Sequence, residues 1–97
     1  MNEIIIEAIK NKKIIECTYK DELRVVEPYT YGLSSKDNDI LRVYQIDGGS
    51  TSSDKLGWRL LTVDKMININ VLDDDFIADR DDYNPEDKAM TTIYITA

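Results

Sequence analysis

Apolar residues recur along this chain at two different spacings, and the change from one to the other divides it into elements. Near the start, Ile5, Ile6 and Ile9 form a stripe close to helical periodicity, with Asn2 placed to cap it. Lys10, Lys12 and Lys13 follow where a helix dipole favours cations. The period then shortens to that of strands. Ile14–Tyr19 predicts a first strand, Lys20-Asp21-Glu22 a polar turn, and Leu23–Glu27 a second strand that Pro28 interrupts or places at an edge. Tyr29–Leu33 continues extended into a hairpin loop over 34–39, and Ile40–Ile46 is the next strand. A polar loop over 47–54 leads to a strand at about 58–63. Met66–Leu72 alternates, with Ile67, Ile69 and Val71 on one face, and Thr91–Thr96 closes the chain as a last strand. Phe76, Ile77 and Tyr83 anchor the polar stretch before it, and Asn84-Pro85-Glu86-Asp87 marks a turn or a helix start. One helix and about six short strands make the fold mainly β (α+β), a small, strongly bent antiparallel sheet or barrel.

The strand around Trp58 has two distinct faces. Leu61 and Val63 alternate onto one face with Arg59 and Lys65, while Trp58, Leu60 and Thr62 point the other way. A cation at each end of an apolar face calls for a negative group, from a ligand or from the chain itself.

Composition narrows the classes. Ninety-seven residues, 42% apolar and 32% charged, suit one domain with a modest core. No apolar run approaches the roughly 20 residues of a membrane span, and the opening residues lack the basic start of a signal peptide. The single cysteine, Cys17, excludes an intrachain disulfide and fits a reducing cytoplasm, as a buried strand residue. The formal charge of −7 is concentrated: residues 73–87 hold eight of the 19 acids and one of the 12 bases, Arg80, so the rest of the chain is neutral. With no histidine and one core cysteine, the usual general base and metal ligands are missing, and neither catalysis nor a cofactor is expected. Asp73–Asp75 lacks the Asp-x-Asp-x-Asp-Gly pattern of a calcium loop and reads as a solvated turn. The Gly48–Ser53 loop offers N–H groups and hydroxyls to an anion but lacks the lysine and spacing of a phosphate-binding loop.

Several stretches together resemble the WYL domain family. They are the leading helix with Ala8-Ile9, Tyr19, Arg24-Val25-Val26-Glu27-Pro28, Leu41-Arg42-Val43-Tyr44 and Trp58–Met66, ending near Phe76. Leu41-Arg42-Val43 stands where the family's naming triplet would, and Asp64-Lys65 carries lysine where arginine is usual. The resemblance implies an SH3-like (Sm-like) antiparallel barrel with a helix packed on it. It also implies a ligand-sensing module that binds nucleotides or nucleic acid through basic and aromatic residues. The acidic stretch at 73–90 and the final strand lie outside the matched region, and no DNA-binding domain fits within these residues.

Arg24, Arg42, Arg59 and Lys65 are the cationic candidates, with Tyr44, Gln45 and Trp58 to orient a ligand. Arginine offers a planar fork for phosphate or carboxylate, and an aromatic face suits a base. The same residues also suit pairing with Glu27, Asp64 or the acidic run, with Trp58 in the core. Two functions fit. One is a stand-alone regulatory module that binds a nucleotide-like or other anionic ligand, or a short nucleic acid, and modulates a separate protein. The other is a protein-interaction module or decoy that works through its acidic segment or a free strand edge, with room for self-association.

Overall fold

In the computed structural model, residues 2–48 and 56–97 are described. Helix α1 (Glu3–Lys10) starts where the Asn2 side chain accepts a hydrogen bond from the Ile5 N–H at 3.1 Å. It buries Ile5, Ala8 and Ile9, while Ile6 only flanks the core. Among the described residues, six antiparallel strands follow: β1 (Lys13–Tyr19), β2 (Glu22–Ser34), β3 (Asp39–Gly48), β4 (Gly57–Thr62), β5 (Ile67–Asp75) and β6 (Met90–Thr96). A 3₁₀ turn, η1 (Val63–Lys65), joins β4 to β5. The strand order is β4-β3-β2-β1-β5, with β6 also on β2. No helix among the described residues is long and apolar enough to cross a membrane.

Strand β2 organises the sheet. Its first half pairs with β1 up to Val26 and its second half with β6 from Thr30, while β3 runs along its other side. Pro28 falls in the gap between β1 and β6, so its missing N–H costs no ladder bond on that side. The proline therefore neither interrupts the strand nor puts it at an edge of the sheet. At Gly32, β6 comes so close that a Cβ would lie 2.3 Å from the Thr92 carbonyl oxygen.

The β1–β2 turn places Lys20 and Asp21 at φ of 52° and 63°, the two left-handed positions of a type I′ hairpin. On β5 the expected apolar face is broken. Asn68 takes φ 54° and the β1–β5 register shifts twice. Ile67 and Val71 are consequently exposed, and only Ile69 reaches the core.

Two apolar clusters lie on opposite sides of the sheet. The larger sits under α1 and includes Ile15, Val26, Tyr31, Leu41, Val43 and Leu61. It also holds Cys17, whose thiol burial pushes up to about 11. The second is built on Ile14, Tyr29 and Phe76, with Tyr44, Trp58 and Tyr83 packed against it. Residues 76–89, between β5 and β6, cover this second cluster. They form turns and no helix, with the Asn84 side chain accepting from the Glu86 N–H at 3.0 Å. Ile77 is 75% exposed and does not help anchor this segment.

Candidate ligand-binding site

Strand register decides which of the candidate residues meet. Tyr44 lies opposite Trp58 and Arg42 opposite Leu60 on the β3–β4 ladder, while Glu27 of β2 lies opposite Tyr44. Side chains alternate across a sheet, so Arg42, Tyr44, Trp58 and Glu27 share the face covered by residues 76–89. Arg59 lies opposite Val43 and thus belongs to the other face, beside Leu61.

The remaining candidates also lie elsewhere. Arg24 is 6% exposed and donates from Nη1 to the Gln45 side-chain oxygen at 3.4 Å, with its guanidinium 5.3 Å from the Tyr19 ring centre. Gln45 is fully buried there. Lys65 sits in η1, which ends the strand at Thr62, so it does not share the Arg59 face and is exposed. The seven candidates therefore divide: Arg42, Tyr44 and Trp58 come together, whereas Arg24, Gln45, Arg59 and Lys65 do not join them. Apart from Gly48, the Gly48–Ser53 loop lies outside the described residues.

What meets Arg42 is the acidic segment. Arg42 donates from Nε and Nη2 to the two carboxylate oxygens of Asp87, at 2.6 and 3.2 Å. Asp87 is 8% exposed, and this fork holds its carboxyl below the usual carboxylate range despite its burial. A second fork mirrors the first. Arg80 donates to Glu27 at 2.8 and 3.1 Å, and its guanidinium lies 3.5 Å from the centre of the Tyr44 ring. The Tyr29 hydroxyl donates to the same Glu27 at 3.0 Å, and its phenol is raised by burial and by that bond.

Between the sheet and the covering segment is an open cavity of about 270 Å³. Arg42 and Trp58 form its sheet side, and Asp82, Tyr83, Asn84, Asp87 and Lys88 its other wall. Trp58 and Tyr83 lie nearly parallel across it, 23° apart with ring centres at 6.3 Å. Tyr83 also packs edge-on against Tyr29 at 4.7 Å, and its hydroxyl donates to the Ala97 carbonyl. The cavity thus combines two aromatic rings, two cations and two carboxylates, one cation and one carboxylate being committed to each other. Among the described residues, no group of acids and cysteine converges as a metal site.

Arg80 and Lys88 were not marked by the sequence pattern as site residues. The one trace of Arg80 was its position as the sole base in the acidic run. No family model, no curated protein and no solved structure matches this chain.

Proposed function

We propose that this chain is a WYL-like regulatory module with an SH3-like barrel. It binds a small ligand bearing a planar ring and an anionic group, and so alters association with a separate protein. Strand connectivity supports the barrel. β4 and β5 stand at opposite ends of the hydrogen-bonded order, yet residues 63–66 alone connect them. Laid flat, a five-strand ribbon would separate its outer strands by about 19 Å. The connection, largely 3₁₀, reaches only about 10 Å. A connection that short favours a sheet curled so that its two ends approach each other, although β4 and β5 share no ladder among the described residues.

One observation carries the ligand assignment: Arg42 and Trp58, a fork for an anion and a ring for stacking, line one cavity together with Lys88. Its volume of about 270 Å³ is just below the range of roughly 300–1,000 Å³ usual for small-molecule sites. A mononucleotide-sized molecule fits that scale better than a dinucleotide or a folded nucleic acid. The role assigned is binding rather than catalysis.

Calorimetric titration with adenosine monophosphate, carried to millimolar concentration, tests the proposal. Arg42→Ala and Trp58→Ala should each weaken binding by about tenfold or more, while Lys65→Ala leaves it unchanged. Equal losses in Lys65→Ala and Arg42→Ala, with all variants folded by circular dichroism, would point to diffuse charge attraction and reject the cavity.

A further inference from the structure

Resting on that ligand assignment, we infer that residues 76–89 form an autoinhibitory strap, in which Asp87 occupies Arg42 as an internal substitute for the ligand's carboxylate or phosphate. Both donors of the Arg42 fork are used by Asp87, at 2.6 and 3.2 Å. A carboxylate or phosphate ligand that takes the Nε/Nη2 edge of the guanidinium needs the same two donors in the same plane. It cannot have them until Asp87 leaves. Asp87 is 8% exposed, so once displaced it has to move into water, since an unpaired buried carboxylate is costly. The strap must then move with it.

The way the strap is fastened suits such a movement. At its start, the Phe76 N–H bonds to the Lys12 carbonyl oxygen at 2.9 Å, tying it to the body. Beyond that point the backbone bonds found among the described residues are local turns, Asp79 to Ile77, Tyr83 to Arg80 and Met90 to Asp87. Side chains do the rest: the Arg80 fork on Glu27 with its guanidinium over Tyr44, the Asp87 fork on Arg42, and Tyr83, which packs on Tyr29 and Trp58 and donates to the Ala97 carbonyl. A segment held by a few side-chain contacts opens at lower free energy than one laced into a ladder. Its excess of acids would also oppose reclosure over a bound anion.

Asp87→Asn tests the strap directly. Asparagine keeps the oxygen that accepts the Ala89 N–H at 3.0 Å and removes the charge that pairs with Arg42. Adenosine monophosphate binding is measured by calorimetry, alongside the emission of Trp58, the only tryptophan, which reports its contact with Tyr83. Asp87→Asn should bind about tenfold more tightly than the unmodified protein. Saturating ligand should bring the Trp58 emission of both proteins to the same endpoint. Arg80→Gln, which loosens the strap without touching the Arg42 fork, should tighten binding in the same direction and decides the matter if Asp87→Asn fails to fold. If the unmodified protein binds and neither folded variant binds more tightly, the strap inference is overturned and the ligand assignment stands. If no protein in the series binds, both are overturned.

Discussion

Asp87 takes its character from being both buried and doubly donated to. Burial alone would raise its carboxyl, but the Arg42 fork and the Ala89 N–H outweigh it and hold the group low. In the unfolded chain the same carboxyl titrates in the ordinary range near 3.9. The folded value is the lower of the two, so this group's stabilisation is complete above the unfolded value and lost as pH falls through the folded one. Asp87→Asn should therefore flatten the acid limb of stability, measured as the urea midpoint between about pH 6 and pH 3 and compared with the parent. An unchanged limb would mean that other carboxylates set the acid response. Arg42 and Trp58 were legible as candidates because residue type and strand alternation are local properties. Pairing of Arg42 with the acidic run was among the expectations, but which acid supplies it was not legible, since 45 residues separate Asp87 from Arg42. Arg59 and Lys65 illustrate the opposite limit: alternation assigned them one face, but η1 ended the strand before Lys65.

Among the elements, those that pack by a simple period were the easiest to read. The helix, the β1–β2 hairpin and the β3–β4 ladder lie close to the expected positions because their apolar spacing is uninterrupted. Strand β2 was harder, since whether Pro28 breaks it depends on where β1 ends and β6 begins. On β5, the left-handed Asn68 rotates the alternation out of phase, and periodicity carries no sign of it. The outcome is a strand at one end of the sheet order, with Ile67 and Val71 exposed. Gly32 gives this scale its test. A Cβ there would meet the Thr92 oxygen at 2.3 Å and the Met90 sulfur at 2.7 Å. The methionine can turn away, but the carbonyl belongs to the backbone of β6. Gly32→Ala should thus cost about 1–3 kcal/mol in chemical denaturation and speed amide exchange in β6 before the rest of the sheet. Uniform exchange across all strands would show that β6 is not an independently yielding unit.

For the whole molecule, the division of charge matters more than its total. A neutral body carries a segment with eight acids and one base, and two of those groups, Arg80 and Asp87, are spent in forks to the body. The forks are partly buried and weakly screened, whereas Asp75 pairs with Lys13 at the surface and the acids at 73, 74, 79, 81, 82 and 86 are exposed to water. Neighbours in this run are closer than the Debye length of about 10 Å at 0.1 M salt, so folding the strap onto the sheet works against their mutual repulsion. Adding salt should screen that repulsion more than it weakens the forks. The urea midpoint should therefore rise between about 0.01 and 0.5 M sodium chloride, by an amount equivalent to roughly 1 kcal/mol. Asp79→Asn combined with Asp81→Asn should raise the low-salt midpoint and reduce the salt dependence, since it removes repulsion without touching either fork. A midpoint that falls with salt in the parent would mean that attraction between strap and body outweighs repulsion within the strap. The acidic run would then act as a fastening for the strap rather than as a load its two forks must hold.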